Sequence, residues 1–152
     1  MFNRVFRLQS VTGFVVIALV LGGCGNNVSP AETQAQAFED LRNEIRNAVD
    51  YPNRQSVAIE LVDALAENLQ QLQENLSYRT KHTRELNSDY DTTRETFETF
   101  FGEVNGQIQA NRKQVGETQR ALFEVLTPDE RSSISKTHSK AMKAAIKTIQ
   151  AI

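Results

Sequence analysis

Residues 61–76 read LVDALAENLQQLQENL, with leucines at positions 61, 65, 69, 72 and 76. Steps of three or four residues place these side chains on one stripe of an α-helix. A second apolar stripe with the same spacing lies upstream, at Phe38, Leu41, Ile45 and Val49. No segment shows the strict alternation of a half-buried strand. The pattern therefore predicts an all-α fold.

Three prolines mark the starts of helices. The segments 29–32 (SPAE) and 127–130 (TPDE) are capping boxes with proline at the first helical position, and Pro52 opens a helix after Asp50. These signals predict about four helices in a long helical hairpin or an open bundle. Their expected ranges are 30–49, 53–86, from about 89 onward, and 128–150.

The sequence allows two arrangements of the second and third helices, either a hairpin or one continuous helix. The run Asn87-Ser88-Asp89 favours a break, because these side chains compete with helical backbone hydrogen bonds. A heptad pattern from Val62 to Val104 instead permits one continuous coiled-coil rod. Arg79, Thr83 and Thr93 weaken that seam, so we favour the hairpin. Asn105-Gly106 is a second place where the third helix would kink or stop.

The amino terminus is typical of a bacterial lipoprotein signal. Arg4 and Arg7 precede an apolar run over 11–21, which is too short to span a bilayer and suits a signal peptide. The run ends in Leu21-Gly22-Gly23-Cys24, which resembles a lipobox. Cys24 is the only cysteine, and its thiol is the expected site of acylation, with palmitate among the attached chains. The alternative is an ordinary secretory signal with an incidental cysteine.

The sequence thus divides into a lipoprotein signal peptide over 1–23, a lipidated tether over 24–29 and a single helical domain over 30–152. Acyl chains on Cys24 anchor the mature chain to a membrane. Removal of two arginines with the signal peptide changes the net charge from −2 to −4. Gly25 and Asn26 follow the cysteine, without the Asp that resembles an inner-membrane retention signal. In a Gram-negative host, we expect the outer membrane, facing the periplasm.

Composition excludes several classes of function. A net charge of −2 argues against a nucleic-acid partner, and one Cys with two His leaves little material for a metal or disulfide site. No Gly-x-Ser-x-Gly, HExxH or phosphate-binding glycine loop is present. The paired carboxylates Asp89 with Asp91 and Asp129 with Glu130 fall at expected helix caps. We therefore expect no enzyme, no catalytic residue, no cofactor and no metal.

Three phenylalanines, Phe97, Phe100 and Phe101, are denser than one core stripe needs. They either belong to the core or form an apolar patch that binds a protein partner. At 100° per residue Phe97 lies between the other two, so it is expected to be the most buried. The segment 85–105 around these phenylalanines is strongly acidic. It contains one basic residue, Arg94, and six acidic ones: Glu85, Asp89, Asp91, Glu95, Glu98 and Glu103.

The last helix is expected to be amphipathic. One face carries Lys136, Lys140, Lys143 and Lys147. The opposite face carries Ile134, Ala141, Ala145, Ile149 and Ile152. The lysine face is expected to be solvated, to lie on anionic lipid, or to lie against the acidic segment 85–105.

The segment 117–131 resembles the signature of the periplasmic LTxxQ proteins, the Spy/CpxP-like family. The matching residues are Leu126, Thr127, Pro128, Asp129 and Glu130, where Glu130 stands at the position of the family's Gln. The resemblance covers about 35 residues near the carboxyl terminus. It implies an all-helical periplasmic protein that acts as an envelope-stress chaperone or as a sensor of stress or metal.

These features predict a non-enzymatic envelope lipoprotein that binds a protein partner or an unfolded client, with a chaperone-like or stress-related role. The alternative is a structural or accessory coiled-coil lipoprotein that docks another envelope complex. A homo-oligomer is compatible with both, because a coiled-coil seam can be filled by a second copy.

Overall fold

The computed structural model describes residues 29–152, which form four α-helices: α1 (Pro30–Ala48), α2 (Pro52–Ser88), α3 (Arg94–Val125) and α4 (Pro128–Gln150). No strand occurs within this range. The predicted all-α fold with about four helices is therefore confirmed. The predicted signal peptide, Cys24 and the predicted tether as far as residue 28 lie outside the described residues.

Both predicted capping boxes form. At α1, Ser29 Oγ accepts from the Glu32 backbone N–H at 3.1 Å, and Glu32 Oε2 accepts from Ser29 N at 2.8 Å. At α4, Thr127 Oγ1 and Glu130 make the same reciprocal bonds, at 3.3 and 2.8 Å. Each box satisfies backbone donors that a helix start otherwise leaves unpaired. The sequence signal thus places the start of α1 and α4 correctly.

The chain reverses between α2 and α3, so the hairpin is correct and the continuous rod is wrong. Asp89 Oδ1 accepts from Asp91 N at 3.1 Å, which folds a turn. Thr93 Oγ1 then accepts from Thr96 N at 3.2 Å and caps α3. The predicted start of α3 near residue 89 is five residues too early, because Asp89 folds the turn and Thr93 caps the helix. Beyond this start, α3 runs without a break through Asn105-Gly106.

Neighbouring helices are antiparallel. Along α1 and α4, Thr148 Oγ1 donates to the Pro30 carbonyl at 3.2 Å, and Lys140 Nζ lies 2.6 Å from Asp40 Oδ2. Along α1 and α2, Arg42 Nε lies 2.6 Å from Asp63 Oδ1. Since α1 is antiparallel to both α2 and α4, those two helices run parallel to each other.

The buried apolar side chains form two clusters. The larger one joins all four helices and contains Ala37, Phe38, Leu41, Ile45, Val49, Ala58, Val62, Leu65, Leu69, Leu122, Leu126, Ile134, Ala141 and Ala145. The smaller one contains Leu72, Phe100, Val104 and Ile108, with Ile149 packed against it. The predicted stripe of α1 is therefore buried throughout. In α4 the stripe is buried as far as Ala145, Ile149 is half-buried, and Ile152 is exposed beyond the helix.

Part of the α2–α3 hairpin projects beyond the four-helix bundle. The start of α1 faces Gln70, Gln73 and Glu74 of α2, and the end of α4 packs at the level of Leu72. Residues 76–107 therefore continue past both helices, and we call them the arm. The thirteen residues of α2 from Leu76 to Ser88 give it a length of about 20 Å.

Candidate protein-binding site

The three clustered phenylalanines are buried in a different order from the expected one. Phe100 is 8% exposed, whereas Phe97 and Phe101 are half-buried. Phe100, Val104 and Ile108 recur every four residues and face α2, which makes this stripe the centre of the helix interface. Phe97 lies in the first turn of α3 and its ring stacks on Phe101, with centroids 6.1 Å apart. The expectation that Phe97 is central is therefore wrong.

Phe100 forms one wall of a groove between the two helices of the arm. Its ring meets His82 edge to face at 4.7 Å and Tyr78 at 5.9 Å, while Tyr78 and His82 stack at 5.4 Å. Such offset and T-shaped pairs are the favoured geometries of aromatic rings. We call this feature the arm groove; it is lined by Tyr78, His82, Thr93, Glu95, Thr96, Thr99, Phe100 and Glu103.

The arm groove combines aromatic faces with negative charge. His82 Nδ1 lies 2.9 Å from Glu85 Oε2, and Glu95 and Glu103 stand on the α3 side. Tyr78 is 51% exposed, so part of its ring remains open to a partner. Aromatic faces beside carboxylates attract cationic and apolar groups. The groove therefore suits a side chain such as lysine, arginine or an aliphatic residue.

Phe101 faces a separate surface of the arm. It lines a hollow with Leu76, Arg79 and Arg84, and the Arg79 guanidinium lies 5.7 Å from the centre of its ring. The rings of Phe100 and Phe101 lie 5.2 Å apart, so the three phenylalanines form one continuous cluster. Its members face two surfaces, because Phe100 lines the arm groove and Phe101 lines the basic hollow. Sequence reasoning did not place Tyr78 and His82 in a binding surface. Their spacing of four residues puts them on one face of α2 but does not show that this face meets Phe100.

The residues of the predicted signature motif form a helix junction. Leu126 is buried, and Glu130 accepts two hydrogen bonds of 2.9 Å from Arg54 at the start of α2. The backbone N–H of Thr127 is the main cause that lowers the pKa of Glu130 below its usual range, with a smaller contribution from Arg54. Pro128 and Asp129 are exposed in the first turn of α4. These contacts join the starts of α2 and α4.

His138 is buried against Phe123, with ring centroids 4.9 Å apart. Its Nε2 atom has no hydrogen-bond partner among the described residues. Burial lowers the pKa of His138, because desolvation disfavours the charged imidazolium. At neutral pH this histidine therefore acts as an uncharged core side chain.

The four lysines of α4 are all exposed. We call Lys136, Lys140, Lys143 and Lys147 the lysine stripe. Lys140 bonds to Asp40 of α1, and this hydrogen bond holds the pKa of Asp40 below its usual range. Because α4 packs mainly against α1, the expectation that the stripe lies against segment 85–105 of the same chain is wrong.

Two further properties concern residues 29–152. Within them, no group of three or more His, Cys, Asp or Glu side chains is placed to hold a metal ion. None of the four helices is long and apolar enough to cross a membrane.

The chain was compared with protein-family models, with curated proteins and with solved structures. None of the three comparisons gave a match. The functional argument therefore rests on the residues and their geometry.

Proposed function

We propose that the protein is a lipid-anchored bacterial envelope protein with a non-enzymatic role in binding other proteins, chaperone-like or related to stress. The observation that carries this proposal is the arm groove. It is a partly exposed aromatic surface with carboxylates at its edge, held on a projecting helical hairpin. Aromatic anchors in a concave site dominate the binding energy of many protein interfaces.

The proposed location is supported by the lipobox-like segment Leu21-Gly22-Gly23-Cys24. Acylation of Cys24 would anchor the chain, and Gly25-Asn26 favours the outer membrane of a Gram-negative cell, facing the periplasm. Five residue steps from Cys24 to Ser29 span at most about 18 Å.

The start of α1 lies at the end of the bundle from which the arm projects, because Thr148 contacts Pro30 there. A lipid anchor on so short a tether would keep the arm, about 20 Å long, close to the membrane surface. The proposed partner is therefore met near the membrane rather than deep in the periplasm.

The signature-like segment Leu126-Thr127-Pro128-Asp129-Glu130 supports the same function. Its resemblance to the LTxxQ proteins implies a periplasmic helical chaperone or stress sensor. In this chain the segment acts as a helix junction, so its contribution would be to hold α2, and with it the arm, in place.

Light scattering of a denatured client protein tests the proposal. The wild-type chain should suppress aggregation, and Tyr78→Ala should reduce the suppression because it opens one wall of the arm groove. Tyr51→Ala is the matched control, since Tyr51 is 67% exposed at the opposite end of α2. No suppression by the wild type, or equal suppression by Tyr78→Ala, would reject the chaperone-like role.

One observation favours the alternative of a structural or accessory lipoprotein that docks another envelope complex. The arm is packed internally through Phe100 and Val104, whose cluster continues into the bundle at Leu72 and Ile108, so it is a stiff projection suited to insertion between other subunits. In that case cross-linking through Tyr78 captures one defined envelope protein, and denatured clients aggregate as they do without the chain.

A further inference from the structure

The arm groove and the lysine stripe are complementary surfaces that the fold keeps apart within one molecule. α4 packs on α1 and ends at the level of Leu72, while the arm groove lies farther along the hairpin at Tyr78 and Phe100. We propose that the arm groove of one copy binds the lysine-bearing face of α4 of a second copy of this chain.

The charges of the two surfaces are opposite and largely unused. Glu95 and Glu103 of the arm groove are exposed and take part in none of the ion pairs formed by residues 29–152. In the lysine stripe Lys140 is paired with Asp40, whereas Lys136, Lys143 and Lys147 have no carboxylate within ion-pair distance in that range. Complementary charges steer association and set the register of an interface.

Each surface also offers an apolar contact. Ile146 is 48% exposed and lies at the edge of the lysine-bearing face, about 60° around the helix from Lys143. Tyr78 presents a half-exposed ring in the arm groove. Ile146 can cover this ring while the lysine stems extend over the aromatic faces and their ammonium groups reach the carboxylates. The contact thus buries an apolar centre inside a charged rim, which is the usual anatomy of a protein interface.

The lengths of the two surfaces match. The α3 side of the arm groove rises about 15 Å from Thr93 to Glu103, and the lysine stripe rises about 17 Å from Lys136 to Lys147. Since α4 runs parallel to α2, its carboxyl-terminal end lies where the arm leaves the bundle. When two copies meet with their arms pointing in opposite directions, the arm of each copy lies along the last turns of α4 in the other copy. A two-fold axis then produces the contact twice.

This inference goes beyond the proposed function, because it assigns a partner to α4 as well as to the arm. It also predicts competition, since a second copy and a client would both cover Tyr78. Self-association and client binding are tested by different measurements, so one can be rejected without the other. Self-association is detected as a cross-link between two copies, and client binding is detected as suppressed aggregation.

Photo-cross-linking in cells tests the inference with the full chain. Two differently tagged copies are expressed together, and one carries a photoreactive phenylalanine analogue in place of Tyr78. We expect a cross-link to the second copy that maps to 136–150. The same analogue in place of Tyr51 is the positional control and should give no such link. Absence of the Tyr78 link with both copies present, or a link that maps outside α4, overturns the inference.

Charge reversal gives the sharper test. Glu95→Lys with Glu103→Lys in the probe-bearing copy should lower the yield of the link about tenfold, because attraction between exposed pairs becomes repulsion. Lys143→Glu with Lys147→Glu in the second copy should then restore it. This restoration also shows that the reversed arm is folded.

The matched control carries the same charge change elsewhere in the second copy. Arg112→Glu with Arg120→Glu alters two exposed arginines of α3 outside the arm groove and the lysine stripe. This control pair of substitutions should leave the yield of the cross-link at its lowered value. Equal restoration by this control, or a yield that charge reversal leaves unchanged, overturns the inference.

Discussion

Arg54 and Glu130 are 76 residues apart in the chain and are joined by two hydrogen bonds of 2.9 Å each. The same carboxylate accepts the backbone N–H of Thr127 at 2.8 Å, so one side chain both caps α4 and ties it to the start of α2. Bidentate pairing of a guanidinium with a carboxylate fixes orientation as well as distance. The junction therefore sets how α2 leaves the bundle and where its far end, the arm, lies.

Glu130→Gln should destabilise the protein by about 1–3 kcal/mol, because it removes a charged acceptor and leaves Arg54 without its partner. The pKa of Glu130 lies below its ordinary value of 4.5. Its stabilising contribution is therefore full above about pH 4.5 and is lost as the pH falls through the pKa of the folded state. Thermal melts from neutral pH to pH 3 should show a smaller acid-induced loss in the variant.

Glu124→Gln is the control for this prediction, since Glu124 is exposed near the end of α3. It should leave both the melting temperature and its pH dependence close to those of the wild type. If Glu130→Gln melts like the wild type at neutral pH, the junction does not stabilise the fold.

The helices could be predicted from local signals, but the contacts between them could not. Proline, serine and threonine at the starts of α1 and α4 act within one helical turn, so the sequence alone locates them. The arm groove depends on the register between α2 and α3, which places His82 against Phe100. Periodicity identifies the face of each helix and not this register, and for that reason Tyr78 and His82 were missed.

The same limit explains the wrong expectation for Phe97. Helical geometry places Phe97 between Phe100 and Phe101, but burial depends on where the partner helix lies along the axis. Here the four-residue stripe that continues through Val104 and Ile108 faces α2, and Phe97 lies one turn nearer the end of the hairpin. Arg54 gave no local signal either, because its partner is in another helix.

Cys24→Ser should abolish acylation and leave an unprocessed or mislocalised precursor, because only a thiol forms the thioether that precedes cleavage. A clickable fatty acid added to growing cells measures this directly. Ser29→Ala, which alters the cap of α1 and leaves the lipobox intact, should still be labelled. Equal labelling of Cys24→Ser and wild type would contradict the lipoprotein assignment.

His138→Leu should raise stability at acidic pH by about 1 kcal/mol or more, since a buried polar atom without a partner is costly. The pKa of His138 lies below its ordinary value of 6.5 because of burial. The unfolded chain therefore gains a proton first as the pH falls, and wild-type stability decreases from about pH 6.5 down to the pKa of the folded state.

Melts between pH 8 and pH 5 should thus show a decrease in the wild type that His138→Leu largely removes. His82→Gln alters the half-buried histidine of the arm and is the control. This variant should still lose the stability that His138 costs the protein between pH 8 and pH 5. A pH profile unchanged by His138→Leu would mean that the imidazole is hydrated in solution.

Phe100→Ala should loosen the arm more than Phe97→Ala does, because Phe100 is the buried ring of the smaller cluster and Phe97 is half-buried. Truncation of a buried phenylalanine typically costs about 3–5 kcal/mol, and a half-exposed one loses less. The large cluster of the bundle does not include either ring, so the loss should be local rather than global. Hydrogen exchange should then accelerate over 76–88 and 94–107 in Phe100→Ala, while amides near Leu41 and Ile45 stay protected. Faster exchange in Phe97→Ala than in Phe100→Ala would contradict the conclusion that Phe100 is the ring that holds the arm together.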